Sequence, residues 1–377
     1  MMASALQKVS DSISTTNPPP TSAKGLDTSA FHFTGRTRSS HETPSPPFIH
    51  VEGVPNFRDL GGYPCHPPSS HFSPNKSYIT RRFTLFRSAQ LTGISPNGTV
   101  TLSKDLKVRR LYDLRSEREI MKGAKDTKPA EINGVETVFV PVFRDQDYSP
   151  EGLARKYKNY TDPDENEGHG YSTGFIRAYR DIFLNAGPAY KTILEHIRDC
   201  DIRDEDSGTF RPEPLLFHCA AGKDRTGVFG ALVLKLCGVP HEIIAWEYSI
   251  TEQGLGAWRE EIIAHFMKGG EEGSGTPAMT REEAERAVGS RANNMMVFLD
   301  EVVDGEWGGV EKYMEDHCGL SAENIELVRE RLIVEGESLF GDGTGYWKPR
   351  QRTGEEGKDL SPPGCAGEDA DKIEMPS

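Results

Sequence analysis

The residues with the clearest chemical potential stand together in one ten-residue segment, His218–Gly227, which reads HCAAGKDRTG. Within this signature segment, Cys219 offers a thiol nucleophile and Arg225 offers a planar guanidinium. A guanidinium can hold two oxygens of one phosphate at once, and it stays charged while negative charge develops on them. A thiolate and an arginine at this spacing predict attack on phosphorus, with a phosphocysteine intermediate.

The signature segment lies between two apolar runs that predict a strand and a helix. Leu215–Phe217 precedes it, and Val228–Leu236 follows it and ends before Gly238 and Pro240, a common helix-stop signal. A loop that enters a helix directs several backbone N–H groups into one concavity, where the helix dipole adds positive potential. Such a cradle binds a phosphate dianion and stabilises a thiolate.

The remaining residues of the segment support this chemistry. Thr226 is predicted to donate a hydrogen bond to the Cys219 sulfur, which eases its departure when water hydrolyses the intermediate. His218 is predicted to orient the loop through its ring nitrogens. Three small residues would let the backbone close round the phosphate oxygens: Ala220, Ala221 and Gly222.

Several alternatives compete with this interpretation. Cys219 could be only a small buried apolar residue, but that leaves the neighbouring charges unexplained. A Walker A loop fails because Asp224 stands where a Ser or Thr is required after Lys223. A sulfurtransferase also uses a cysteine in a loop before a helix, but Arg225 and Thr226 favour phosphate over persulfide chemistry. A phosphate-binding pseudoenzyme would not need to keep Cys219.

Composition narrows the remaining function classes. The 377-residue chain has a net charge of −14, which argues against a general nucleic-acid binder. Its six cysteines are scattered without a C-x-x-C pair, so a structural zinc site is not expected. The sequence has no long apolar run and no secretory signal pattern, which predicts no transmembrane segment and a cytoplasmic or nuclear location.

The apolar pattern predicts one α/β domain at 48–347 between two disordered tails. Residues 1–47 and 348–377 are rich in polar residues and proline, with little apolar surface to bury. Short β-branched or aromatic runs come first in the domain, and apolar residues at helical spacing dominate after residue 172. The early runs predict strands at Phe83–Phe86, Arg110–Leu114 and Val135–Val142. This order indicates a short sheet with a helical cover.

Three further segments strengthen the interpretation of the signature segment. They are Val54–Gly62 (VPNFRDLGG), Leu85–Leu91 (LFRSAQL) and Tyr112–Ser116 (YDLRS). With HCAAGKDRTG, a C-x5-R-[ST] pattern, they resemble the tyrosine phosphatase superfamily, and in particular the atypical tyrosine phosphatases of bacteria and fungi that also act on phosphoinositides. The resemblance covers about residues 50 to 250, nearly the whole predicted core.

This resemblance implies a fold and a range of substrates. The fold would be a short, mostly parallel sheet flanked by helices, with the signature segment at the carboxyl edge of the strands. The substrates would be phosphotyrosine, sometimes phosphoserine or phosphothreonine, and phosphoinositides. Lys223 is the residue that the resemblance associates with lipid headgroups, because an extra cation can meet a second phosphate. The mechanism calls for no metal or other cofactor.

The general acid that protonates the leaving oxygen is less clearly indicated. Many members of the superfamily use an aspartate in a Trp-Pro-Asp loop, and this sequence contains no Trp-Pro-Asp. The resemblance favours Asp224, with Asp113 second and Asp145 third. Each has a structural alternative: Asp224 could pair with Lys223 or Arg225, and Asp113 could cap a strand or pair with Arg115.

Arginines and carboxylates recur in the segments of the resemblance. We expect Arg58, Asp59, Arg87 and Arg115 mainly to form structural ion pairs that hold the signature segment. Arg58 is also a candidate substrate-binding residue.

Overall fold

The computed structural model describes residues 45–68, 71–122, 131–143, 157–161, 170–203, 208, 210–268 and 278–340. The two predicted tails lie outside the described residues, except for 45–47, and so does Asp145. None of the described helices is long and apolar enough to cross a membrane.

A five-stranded sheet forms the centre of the molecule. Its strands, in spatial order, are β1 (Arg58–Asp59), β4 (Leu85–Ser88), β9 (Leu215–His218), β5 (Arg110–Asp113) and β6 (Glu136–Phe139). The last four are parallel, and β1 runs antiparallel to β4. The predicted α/β fold with a short, mostly parallel sheet is therefore confirmed, and the three predicted strands correspond to β4, β5 and β6 with boundaries shifted by up to three residues.

The central strand β9 explains why the signature segment follows a purely apolar run. All four residues of β9 are buried, because β4 and β5 flank it and helices cover both faces of the sheet. Smaller sheets lie outside this core. One is antiparallel, with strands β2 (Pro64–Cys65), β3 (Tyr78–Thr80) and β10 (Ile333–Glu335). In the other, β7 (Asp201–Arg203) pairs antiparallel with β8 (Phe210–Pro212).

Helices make up most of the remaining described structure. In chain order they are α1 (Pro96–Val100), α2 (Glu117–Lys122), α3 (Thr173–Asn185), α4 (Gly187–Asp199), α5 (Asp224–Leu236), α6 (His241–Ser249), α7 (Thr251–Leu255), α8 (Trp258–Lys268), α9 (Arg281–Val288), α10 (Ala292–Val297), α11 (Val310–Asp316) and α12 (Ala322–Leu332). Two π-helical segments, Thr101–Asp105 and Phe298–Glu306, continue α1 and α10.

Helix α5 is the central helix of this cover. It contacts β4 and β9 of the sheet as well as α3, α6 and α11. Ten of its thirteen residues are buried, so an almost uniformly apolar sequence is what its position requires. Because β9 leads directly into α5 through a short loop, the rigid core fixes both ends of the signature segment.

Candidate active site

The β9–α5 loop, residues 219–223, places Cys219 at the carboxyl edge of the central strand. Cys219 follows the last residue of β9 and is only 3% exposed. Two backbone hydrogen bonds hold the stem of the loop: the Leu114 N–H donates to the His218 carbonyl at 2.9 Å, and the Gln90 N–H donates to the Ala220 carbonyl at 2.9 Å. The predicted position of the thiol at this edge of the sheet is therefore what the structure shows.

Side chains from outside the segment hold the carbonyls of the loop. Arg87 Nη2 donates to the carbonyls of Gly222 and Lys223 at 2.7 and 3.3 Å. Asn56 Nδ2 donates to the carbonyls of Ala221 and Gly222 at 3.0 and 3.2 Å. Because the C=O and N–H of a trans peptide point in opposite directions, fixing these carbonyls turns the N–H groups of the same peptides the other way. A concave set of N–H groups is an anion site.

Gly222 is required by the path of the loop. Its φ is +66°, in the left-handed region, and a Cβ added there would lie 2.2 Å from the Ser88 carbonyl oxygen. Any side chain would clash with the backbone that follows β4. The prediction that this residue must be small thus has a concrete reason in the packing of the loop against the neighbouring strand.

A buried triad of Arg58, Arg87 and Glu247 supports the loop. Glu247 accepts from Arg58 Nε through Oε1 and from Arg87 Nη1 through Oε2, each at 2.6 Å. Glu247 is 1% exposed and both arginines are completely buried. The expectation that Arg58 and Arg87 form structural ion pairs is confirmed. Glu247, on helix α6, was missed, and its only sequence signal is a carboxylate between two aromatic residues, Trp246 and Tyr248.

The substrate-binding role expected of Arg58 stays a prediction, and its guanidinium is occupied by other partners in this structure. Its Nη2 donates to the Glu247 carbonyl and to Thr251 Oγ1, each at 3.1 Å, and no part of the side chain reaches solvent. Burial, together with repulsion from Arg87, lowers the pKa of Arg58 to about 10. The guanidinium remains charged at neutral pH, and its hydrogen bonds go to Asn56 and to residues of α6 and α7.

Arg225 is held by a carboxylate that the sequence did not reveal. Its Nη1 and Nη2 donate to the two carboxylate oxygens of Glu119, each at 2.7 Å. Glu119 is 3% exposed and also accepts from the Ser116 N–H at 2.7 Å. Burial raises the pKa of Glu119, but the charge and hydrogen bonds of Arg225 outweigh burial and lower it to about 2. The guanidinium is therefore oriented before any substrate arrives.

Asp113 and His218 lie behind the thiol. Asp113 accepts from Arg115 Nε at 2.9 Å and from Arg115 Nη2 at 2.6 Å, and its Oδ2 is 3.8 Å from His218 Nε2. Burial raises the pKa of Asp113, but His218 and Arg115 outweigh it and the net shift is downward. An ionised carboxylate has no proton to give, so the pairing with Arg115, the structural alternative for Asp113, is the observed arrangement. His218 Nδ1 is 3.0 Å from the Cys219 carbonyl oxygen and thereby orients the loop.

Asp224 is the first residue of α5 and stands beside the loop. Its side chain is 20% exposed, and its Oδ1 is 3.6 Å from Lys223 Nζ and 3.4 Å from the Tyr248 hydroxyl. Burial raises the pKa of Asp224. A raised pKa keeps a proton on the carboxyl closer to neutral pH, which suits a general acid.

The Lys223 ammonium is bound to backbone carbonyls in this structure, and the buried Thr226 hydroxyl has no hydrogen-bond partner among the described residues. Lys223 Nζ donates to the carbonyls of Ala287 and Gly289 at 2.6 and 3.1 Å, at the end of α9, and lies 4.9 Å from the Phe175 ring centroid. Within the described residues, the buried Thr226 hydroxyl makes no hydrogen bond, so the bond expected from it to the sulfur is not formed here.

Helices α8 and α9 cover the loop. An apolar cluster joins Ala89 and Ala220, beside the thiol, to the inner faces of the two helices. Its helix members include Trp258, Ile262, Ile263, Phe266, Ala284 and Val288. This cluster is separate from the main core, to which Cys219 itself belongs.

One group of described side chains has the composition of a cation site. His71 Nδ1 and carboxylate oxygens of Glu326 and Glu330 lie within 4.8 Å of one another. His71 Nδ1 already lies 2.6 Å from Glu330 Oε1, and none of the three belongs to the β9–α5 loop. The loop chemistry described above does not depend on this group.

Comparison with known proteins relates this chain to phosphatases. The sequence profile of the tyrosine phosphatase family matches residues 49–334. A triple specificity protein phosphatase of Mycobacterium tuberculosis, PtpB, is 25% identical over 300 residues, which are 75% of this chain and 98% of that protein. A tyrosine-protein phosphatase of Nostoc commune is 29% identical over 133 residues, 31% of this chain and 38% of that protein. The crystal structure of P. aeruginosa TpbA matches at 15% identity over 54% of this chain and 88% of that chain, with a TM-score of 0.22.

Proposed function

The chain belongs to the tyrosine phosphatase family, and on that premise we propose that it hydrolyses phosphotyrosine on proteins through a phosphocysteine intermediate on Cys219. The observation that carries this proposal is the β9–α5 loop. Its carbonyls are fixed by Asn56 and Arg87, its thiol stands at the carboxyl edge of β9, and Arg225 follows in the first turn of α5. The family match supports a single phosphatase domain at 48–347.

In the first step, the phosphate of the substrate occupies the concavity of the loop. The Cys219 thiolate attacks phosphorus, the S–P bond forms, and the P–O bond to the leaving group breaks. The carboxyl of Asp224 gives its proton to the departing oxygen. Arg225 holds two of the remaining phosphate oxygens, and the backbone N–H groups of Ala220, Ala221 and Gly222 stabilise the charge that develops on them.

In the second step, water hydrolyses the phosphocysteine. The Asp224 carboxylate takes a proton from water, the water oxygen attacks phosphorus, and the S–P bond breaks with its electron pair returning to sulfur. Inorganic phosphate leaves, and Asp224 is protonated again. Thr226 supports this step if its hydroxyl rotates to the Cys219 sulfur as the sulfur gains charge.

Phosphoinositides are the second candidate substrate class, and the observation that favours them is Lys223. Its ammonium is a further cation next to the loop, 3.6 Å from Asp224 Oδ1. To bind a second phosphate of a lipid headgroup, its Nζ has to exchange the carbonyls of Ala287 and Gly289 for the ligand. We also propose a cytoplasmic or nuclear location, because a catalytic thiol needs a reducing compartment.

The test is an assay of the full chain without added metal. The substrates are a phosphotyrosine peptide, a phosphoserine peptide and a panel of phosphoinositides in vesicles, with wild type and Cys219→Ser compared. A matched control is Cys237→Ser, which changes another buried cysteine, located at the end of α5.

We expect turnover by wild type and Cys237→Ser and none by Cys219→Ser, with phosphotyrosine first in the ranking. If phosphoinositides were hydrolysed fastest, the proposed substrate would be the lipid instead of the protein. No turnover of any substrate by folded wild-type protein would leave a phosphate-binding pseudoenzyme.

A further inference from the structure

A buried tyrosine from outside the signature segment reaches the proposed general acid. Tyr248 lies on α6, is fully buried, and places its hydroxyl 3.4 Å from Asp224 Oδ1. Gly227, three residues after Asp224, makes room for this approach. A Cβ at position 227 would lie 2.8 Å from Tyr248 Cδ2. The last glycine of HCAAGKDRTG is therefore explained by the position of the Tyr248 ring against the first turn of α5.

A second tyrosine holds the first. The hydroxyl of Tyr179, on α3, forms a short hydrogen bond with the Tyr248 hydroxyl. The two rings meet edge to face with centroids 5.9 Å apart, and both side chains are fully buried. Burial raises the pKa of each phenol well above its ordinary value, so both keep their protons at neutral pH. Tyr248 can then donate its own proton to a hydrogen bond with Asp224 in every protonation state of that carboxyl.

The two cations that face Asp224 have partners of their own. The titratable and charged groups around its carboxyl are Lys223 of the loop, Arg225 of α5, Tyr248 of α6, Tyr179 of α3 and Tyr160 of the helical turn 157–161. Lys223 Nζ donates to two carbonyls at the end of α9, and both Nη atoms of Arg225 donate to Glu119. The Tyr248 hydroxyl is a neutral donor, and the packing of its ring fixes the direction in which it donates.

We propose that Tyr248 is a positioning residue for the general acid: its hydroxyl, held by Tyr179, binds Oδ1 of Asp224 and leaves Oδ2 to carry the proton to the leaving oxygen. This inference deepens the proposed function and rests on it. When Asp224 loses its proton to the leaving group, the hydrogen bond from Tyr248 is donated to the carboxylate and strengthens. The phenol keeps its own proton throughout. The 3.4 Å separation is long for a hydrogen bond, as is common at catalytic sites before substrate binds.

The test compares two aryl phosphates of similar shape in the full-length protein. 4-Nitrophenyl phosphate has a good leaving group that needs little protonation, whereas phenyl phosphate has a poor one that needs the acid. We expect Tyr248→Phe to lower kcat/KM for phenyl phosphate about tenfold, the effect of one lost hydrogen bond. The rate with 4-nitrophenyl phosphate should change much less.

The pH profile gives a second readout. A hydrogen bond donated to the carboxylate lowers the pKa of Asp224, so its removal raises that pKa further. The alkaline limb of kcat/KM, where the acid loses its proton, should therefore move to higher pH in Tyr248→Phe. A role limited to packing would leave the position of this limb unchanged.

Tyr190→Phe is the matched control. Tyr190 is equally buried, and its hydroxyl donates to the Arg225 carbonyl at 3.1 Å, so it touches the same helix without contacting Asp224. It should lower both rates by one common factor. If Tyr248→Phe fails to fold, Tyr179→Phe takes its place. We expect that variant to lose less kcat/KM than predicted for Tyr248→Phe, and only with phenyl phosphate.

The outcomes separate this inference from the function beneath it. Equal losses with both substrates and an unmoved alkaline limb, in a protein whose turnover still requires Cys219, would overturn the role of Tyr248 and leave the phosphatase intact. Absence of wild-type turnover with both substrates would remove the proposed function, and the inference with it.

Discussion

The pair between Glu119 and Arg225 allows a prediction whose size follows from the structure. In Glu119→Gln the guanidinium of Arg225 loses its charged partner and one of two 2.7 Å hydrogen bonds, and with them the contact that fixes its orientation. The folded protein lowers the pKa of Glu119 from 4.5 to about 2. With Glu119 only 3% exposed, that shift corresponds to about 3 kcal/mol of folding free energy at pH 7.

The pH dependence of this stabilisation has a definite sign. The folded-state pKa of Glu119 is depressed, so the stabilisation is fully present above the unfolded-state pKa of 4.5 and is lost as pH falls toward 2. At pH 3 less than half of the contribution remains, about 1 kcal/mol. The difference in stability between wild type and Glu119→Gln should therefore shrink as the solution is acidified from pH 7 to pH 3.

Urea unfolding of both proteins at several pH values measures this difference directly. Glu117→Gln is the matched control, because Glu117 is an exposed carboxylate two residues earlier on α2, and it should unfold like wild type at every pH. We also expect Glu119→Gln to lose about tenfold in kcat/KM, since Arg225 is no longer oriented. Equal unfolding free energies for wild type and Glu119→Gln at pH 7, or a difference that does not change with pH, would refute the reasoning.

Two further substitutions test the loop and the assignment of the acid. Gly222→Ala places a Cβ 2.2 Å from the Ser88 carbonyl oxygen at a φ of +66°, so the displaced loop should lose at least about 100-fold in kcat; normal kinetics would show that the cradle tolerates a side chain. Asp113→Asn leaves Arg115 buried without its charge partner and should lower the unfolding free energy by about 3 kcal/mol. It should also slow the hydrolysis of phenyl phosphate and of 4-nitrophenyl phosphate by the same factor. A loss of rate confined to phenyl phosphate would make Asp113 the acid instead of Asp224.

The sequence by itself determined the parts of the site that are contiguous along the chain. Cys219 and Arg225 are separated by one loop, and the apolar runs on either side were sufficient to place that loop between a strand and a helix. Local patterns of this kind carry their own geometry, because a loop that enters a helix has few possible paths. The α/β class and the strands β4, β5 and β6 followed from the same local signals.

Only the tertiary structure decided which side chains support those two residues. Glu119 lies 106 positions from Arg225 and Glu247 lies 160 positions from Arg87, and such partners are chosen by the packing of distant elements. Packing also decided the directions in which the pKa values of the two carboxyls shift. Asp113 and Asp224 are both aspartates near the loop, but Arg115 and His218 keep the first ionised while burial raises the pKa of the second. The protonation state of a carboxyl depends on its neighbours in space, and a sequence pattern does not contain them.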